Sequence, residues 1–284
     1  MSTSRGRLVL VSTPIGNLGD MSPRSLEALS VANSVACEDT RRTGSLFAHF
    51  GIEHEPFIVC NEHTEAAASA EILSRIDRGE VVVLVSDAGT PAVSDPGQRV
   101  VQAVIEGGGH VEAIPGASAA LVGLVVSGLA TDRFCFEGFL PRKGVERTTR
   151  IEELVAERRT VVLFEAPHRV ERTVTDLHAV LGAKRHLVLA RELTKTYEEV
   201  WRGDLGGALA HVAEREPRGE YVLILGGAAQ RLDTVETLTA ALEKEAADGA
   251  TRRDAVETVV AMTGAKKRQV YDLALNLDFL AKKP

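Results

Sequence analysis

The chain has 284 residues, 26% charged and 44% hydrophobic, with a formal net charge of -7 and a pI near 5.7. That balance belongs to a folded chain with room for about two domains and excludes wholesale disorder. The overall acidity argues against a protein that coats nucleic acid through bulk positive charge.

Short β-branched runs at 8–12, 34–37, 81–86, 111–114, 134–136, 160–164, 187–190 and 221–225 alternate with helical patterns, which predicts an α/β fold with parallel sheets covered by helices. The runs are nearly continuous in apolar residues, as in strands buried on both faces. Ser22 followed by Pro23 marks a helix start, and the spacing predicts a helix over 23–32. A second helix is expected over 64–78, with Gly79 ending the pattern. The texture breaks at 136–150, where Gly138, Pro141 and Gly144 punctuate a basic stretch, so the division between two α/β domains is placed at 1–137 and 138–231. From 232 to 284 only helical patterns remain, at 235–247, 253–262 and 266–277, and this reads as a small helical extension. Residues 252–284 hold seven Lys/Arg against four Asp/Glu, net +3, leaving 26 against 36 before them, net -10. The acidity therefore belongs to the α/β body.

The cysteines, Cys37, Cys60 and Cys135, are odd in number and widely spaced, which supports neither a disulfide framework nor a zinc ribbon. His54, Cys60 and His63 lack a fourth ligand at motif spacing, so no metal is expected. The first apolar run meets Pro14 too soon for a signal sequence, and 117–130 is too short to span a membrane. A soluble, reducing, cytoplasmic setting is the expectation.

Three loops follow strand patterns where ligands bind in open α/β sheets. S-T-P-I-G-N-L-G-D at 12–20 lacks G-x-G-x-x-G, and no P-loop occurs in the chain. S-D-A-G-T-P-A-V-S-D-P-G at 86–97 is long for a plain connection and holds two prolines of fixed φ. I-P-G-A-S-A-A-L-V-G at 114–123 leads into a small-residue helix with room for a flat ligand or a second subunit. Turn formation, helix capping and close helix-sheet packing are the bland alternatives for these loops.

These loops, with C-E-D-T-R-R-T at 37–43 and A-R-E-L-T-K-T-Y-E at 190–198, resemble the tetrapyrrole methylase superfamily, and within it the branch that methylates ribosomal RNA. The resemblance runs in order from residue 8 to 225, and the final helices are similar to that branch's extension. It implies two α/β/α domains with a cofactor cleft between them, binding S-adenosylmethionine largely through main-chain groups. By similarity Pro14, Gly16, Asp87, Ala88, Gly89, Thr90, Pro91, Ser118 and Ala119 would hold the cofactor from the first domain, and Glu165, Ala166, Arg191 and Tyr221 from the second. The implied reaction is 2′-O-methylation of a cytidine ribose in the decoding region of small-subunit rRNA, within the assembled subunit, by a homodimer.

An alcohol is a poor nucleophile, so a base or cation is expected nearby. Glu38, Asp39, Arg41, Glu192 and Lys195 are the candidates, with Arg42, Arg142, Lys143, His168 and Arg169 as substrate contacts. Glu38 and Asp39 equally suit a helix cap, and Lys195 a surface charge or phosphate contact. Two rivals stand beside this reading: a tetrapyrrole-precursor or diphthine-type methyltransferase of the same fold, and a non-enzymatic nucleic-acid adaptor built on a helix-turn-helix around Thr263 and Gly264.

Overall fold

The computed structural model describes residues 6–53, 57–214, 217–228 and 234–279, and His54 lies outside them. The chain divides into two compact units, one ending at Ala228 and one beginning at Ala229.

The first unit holds two five-stranded sheets. The first sheet contains β1 (Arg7–Val11), β2 (Ser34–Cys37), β3 (Phe57–Val59), β4 (Val81–Val85) and β5 (His110–Ile114), with α1 (Pro23–Val31), α2 (Thr40–Phe50), α3 (Glu65–Asp77), α4 (Gln98–Glu106) and α5 (Ala119–Ser127) between or after them. Its order is β3-β2-β4-β1-β5, every pairing parallel. Val82 to Val85 are essentially inaccessible, because helices cover both faces of this central strand. The helix boundaries follow local chemistry. Ser22 Oγ accepts the Ser25 N–H at 3.0 Å ahead of Pro23, and Asp39 caps α2 by accepting the Arg41 N–H at 2.9 Å.

The second sheet contains β6 (Phe134–Phe139), β7 (Thr160–Glu165), β8 (His186–Arg191), β9 (Glu199–Asp204) and β10 (Tyr221–Leu225), with α6 (Val145–Glu153), α7 (Pro167–Leu181) and α8 (Leu205–Ala213). Its order is β6-β7-β10-β8-β9, and here the expectation of a parallel sheet needs correction. Only β6 and β7 run parallel; β10 is antiparallel to both β7 and β8, and β8 is antiparallel to β9. Apolar runs report burial and carry no information on direction. The seven residues from 192 to 198 are too few for a crossover, so they fold β8 onto β9 as a hairpin. The strand that opens this sheet starts at Phe134 and bulges between Phe136 and Gly138, where Gly138 has φ of 61°.

The second unit is three helices, α9 (Val235–Ala247), α10 (Arg252–Thr263) and α11 (Lys267–Ala274). Leu238, Leu242, Val256, Val259 and Val270 form its own core. Thr234 and Thr251 cap α9 and α10, and Gly264 at φ 70° ends α10 in the left-handed conformation that glycine adopts without strain.

Candidate active site

The loops after β1 and β4 are stitched together at the carboxyl ends of the first sheet. Thr13 N donates to Gly89 O at 2.9 Å, and Gly89 N returns a bond to Thr13 O at 3.1 Å. Ser12 Oγ and Thr90 Oγ1 lie 3.2 Å apart, and Thr90 Oγ1 also donates to Ala117 O at 3.3 Å, which ties in the third loop. Gly89 has φ of 83°, a conformation that requires glycine here.

A cavity of about 360 Å³ opens between these loops and the second sheet. This size is within the range of sites for cofactors and other small molecules. From the first sheet's side Ile15, Ala88, Gly89, Thr90, Ser118 and Ala119 line it, together with Val93, Ser94 and Asp95 farther along the second loop. From the other side come Phe139, Phe164, Glu165, Ala166, Pro167, Leu193, Lys195, Glu220, Tyr221 and Val222. These belong to the carboxyl ends of β6 and β7, the start of α7, the amino end of the antiparallel β10 and the β8–β9 hairpin. Reversing β10 is what delivers Glu220 and Tyr221 to the same end of the sheet as Glu165.

Among the described residues, four that are not glycine have positive φ: Ala92 at 68°, Ser94 at 59°, Glu192 at 51° and Thr194 at 65°. All four lie in two loops that wall the cavity. Such conformations are costly and persist where surrounding structure holds them, often at functional sites.

Lys195 bridges these walls. Its Nζ donates to Glu192 Oε1 at 2.8 Å and Glu220 Oε2 at 2.9 Å, while its aliphatic stem crosses Gly16, where an added Cβ would sit 2.2 Å from Lys195 Cγ. The two carboxylates raise the Lys195 ammonium pKa despite burial, so it stays charged and engaged. Glu165 is buried and its carboxylate is well partnered: it accepts from Ala166 N and from Thr173 Oγ1 at 2.6 Å, and it forms an ion pair with Arg169, Nε to Oε1 at 3.0 Å. Arg147 extends this network to Thr173 and Asp176.

Asp95 differs from these acids. No cation among the described residues pairs with it; Ser86 alone hydrogen-bonds its side chain. Burial, with a smaller contribution from the Asp87 charge, pushes its carboxyl up to about 6. Asp95 was not among the candidates read from the sequence; the signal that could have singled it out is its place in an overlong loop after the most buried strand.

The remaining candidates are placed as follows. Pro14, Gly16, Asp87, Pro91 and Arg191 belong to the loops and strand ends around the cavity but do not line it. Arg191 pairs with Glu199 at 3.4 Å and hydrogen-bonds the Tyr221 side chain. Glu38, Asp39, Arg41 and Arg42 form a separate group at the end of β2 and the start of α2, outside the lining. Asp87 accepts the Asp39 N–H at 3.0 Å, and Arg42 lies 3.5 Å from Asp87. Asp39 caps α2 and pairs with Arg41 at 2.7 Å, which holds its carboxyl well below the usual range. Burial pushes Glu38 in the other direction, upward. Arg169 is taken up by Glu165 and the Leu140 carbonyl, whereas Arg142, Lys143 and His168 are exposed. Among the described residues no group of His, Cys, Asp and Glu has the geometry to hold a metal. No helix among them is long and apolar enough to cross a membrane.

The cavity thus lies between two α/β sheets and is lined by loops that carry no dinucleotide fingerprint. The family model described as Tetrapyrrole (Corrin/Porphyrin) Methylases matches residues 7–209, and the chain belongs to that family. More narrowly, it is 45% identical over 276 residues to ribosomal RNA small subunit methyltransferase I of Synechocystis sp., covering 96% of this chain and 99% of that one. The proteins of the same name from Escherichia coli O157:H7 and Mycobacterium tuberculosis are 41% and 43% identical, each match covering 96% of this chain and 96% and 95% of theirs. Among solved structures, uroporphyrin-III-C-methyltransferase from Thermus thermophilus aligns with a TM-score of 0.55 at 21% identity, over 78% of this chain and 94% of that one. Diphthine synthase aligns with a TM-score of 0.57 at 17% identity, over 78% of this chain and 90% of that one. At these identities the structural likeness concerns the fold.

Proposed function

We propose that this protein transfers a methyl group from S-adenosylmethionine to the ribose 2′-hydroxyl of a cytidine in the decoding region of small-subunit rRNA, acting on the assembled subunit in the cytoplasm. One observation carries the choice among substrates. The similarity to ribosomal RNA methyltransferases covers 96% of the chain and extends through its helical unit, whereas the similarity to uroporphyrin and diphthine enzymes covers 78%. The helical unit carries Lys266 and Arg268 along one groove, in keeping with a phosphate-bearing substrate.

The cavity suits the cofactor. Asp95 and Glu220 face a space whose one ammonium, Lys195, is already twice paired, which favours a cationic ligand. The rings of Phe139 and Phe164, 5.7 Å apart, add an apolar wall for a flat heterocycle. Main-chain groups of residues 88–90 are held in place by the Thr13–Gly89 bridge. When bound, S-adenosylmethionine supplies an electrophilic methyl group on a cationic sulfur.

The chain's own part is alignment and proton removal. Asp95 would accept the 2′-hydroxyl proton, while bound S-adenosylmethionine would supply the methyl group with its sulfur as the leaving group. Lys195, locked between Glu192 and Glu220, positions the hairpin over Gly16. A homodimer is part of the proposal, supported by α5, which leaves Leu121 and Val125 exposed at 52% and 67%.

Labelled S-adenosylmethionine tests the reading. Label is expected in undermethylated small ribosomal subunits and absent from a tetrapyrrole precursor or elongation factor; the reverse pattern would overturn it. Light scattering that finds only a 30 kDa-class monomer at micromolar concentration would reject the dimer.

A further inference from the structure

The second sheet has another concave surface at the end opposite the reaction cavity. A groove of about 680 Å³ lies where β7 and β8 begin and β10 ends, lined by Thr160, His186 and Gly226. The reaction cavity meets the same strands at Glu165 and Tyr221. Six residues of β7 at about 3.3 Å each separate the two ends by roughly 17 Å, about five nucleotide steps of a stacked strand. The two sites therefore cannot hold one nucleotide, but one RNA segment can reach both.

The charge of this groove is unlike that of the acidic body. Arg133, Arg158 and Arg159 line it. Arg159 is neutralised by Glu157, at 2.6 Å, which also holds the Glu157 carboxyl down at about 2. Arg133 and Arg158 are exposed, and neither is ion-paired with an acid among the described residues, although most other arginines of the body are, as at Arg75, Arg147 and Arg169. Behind them, Arg185 donates only to main-chain carbonyls, those of Leu154, Glu157 and Gly226, so its charge also lacks a carboxylate. Asp132 is the one other acid in the lining.

The floor is rigid. Ala228 N donates to Glu157 O at 2.6 Å, and an added Cβ on Gly227 would fall 1.9 Å from the Arg158 carbonyl, so glycine is what lets the two chain segments touch. Open guanidinium groups on a fixed floor, with the exposed His186 ring beside them, suit phosphodiester oxygens, for which arginine has matching donors.

We propose that this groove is a second docking site, in which Arg133 and Arg158 grip phosphates of the RNA flanking the methylated nucleotide. The proposal rests on the rRNA reading above. Its test uses the full chain and the double variant Arg133→Ala/Arg158→Ala, with undermethylated small ribosomal subunits as the probe and affinity measured across a salt series. At about 0.7 per phosphate the slope of log affinity against log salt should fall by about 1.4, with binding about 25-fold weaker near 100 mM salt. The double lysine variant should recover most of both, and S-adenosylmethionine affinity should match the parent in each case. A parent chain with no affinity for subunits refutes the rRNA reading, and this one with it. A parent that binds, alongside an alanine variant with the same affinity and slope, refutes the groove alone. Inorganic phosphate, followed through the His186 ring resonances, supplies the last arm. Saturation well below millimolar phosphate, with subunit affinity unchanged in the variant, would make this a small-anion site and overturn the proposal.

Discussion

The loops after β1 and β4 are joined by the Thr13–Gly89 backbone bridge and bring mostly small or uncharged residues such as Ala88, Gly89 and Thr90 to the cavity, whereas the second sheet meets it with Glu165, Lys195, Glu220 and Tyr221. The difference follows from topology. In the parallel sheet every strand points its carboxyl end at the cleft, so glycine-rich loops gather there and hold one another by backbone bonds. In the mixed sheet a reversed strand and a hairpin bring both strand ends and loops to the cleft, and their charged side chains must be held by one another. One lobe shapes a ligand; the other fixes and balances charge. Asp95 stands apart as the acid that the first lobe offers without a cationic partner among the described residues.

The sharpest way to break this contrast is Asp95→Asn. If Asp95 takes the proton, the turnover rate should drop by about 10² to 10⁴. In the parent, the rate should rise with pH through about 6, because the carboxyl must be ionised to accept a proton, and the variant should lose that acid limb. Stability should move the opposite way. A carboxyl whose pKa is raised by folding penalises the native state once pH exceeds its unfolded value, so the asparagine variant should be more stable than the parent at pH 8, with the advantage fading toward pH 4. Denaturant titrations at the two pH values check the sign.

Next in size is Glu165→Ala, which strips the acceptor from Arg169 and Thr173 in a buried network. A loss of about 3 to 5 kcal/mol is expected from urea unfolding. Gly123→Val tests the packing of α5 on β10, since an added Cβ would approach Val222 Cγ1 to 2.8 Å. Overpacking of that kind costs about 1 to 3 kcal/mol. The smallest effect should come from Asp39→Ala, which removes the cap of α2. A modest fall in Tm with the acid limb intact would mark Asp39 as structural, and loss of the limb would return it to the chemistry.

Much of the first lobe was legible in the sequence because its signals are local: Ser22-Pro23, the VVVLV strand, and the three loops that follow strands. The Phe57–Val59 strand is three residues long and gives no period to detect. Glu199–Asp204 is an edge strand in which Glu199, Arg202 and Asp204 are charged and Gly203 interrupts the run, so it gives no continuous apolar signal. Strand direction in the second sheet was not legible at all, since parallel and antiparallel interior strands share the same apolar pattern. That same gap hid Glu220, which only a reversed β10 brings to the cavity. Lys195 and Glu192, three residues apart, were both singled out for their charge, but the second partner, Glu220, lies 25 residues away in the chain and needed coordinates.

The net charge also reads differently against the structure. Two of the arginines without an acid partner gather at the far groove, so an acidic body can still present a local cationic surface.

The most direct measurement is the identity of the methylated nucleoside. Undermethylated small ribosomal subunits are incubated with the protein and labelled S-adenosylmethionine, and the rRNA is digested to nucleosides and resolved by mass. The account predicts one labelled species, 2′-O-methylcytidine, mapping to the decoding region and absent with Asp95→Asn. Label on a base, or in a tetrapyrrole with unlabelled rRNA, would contradict it.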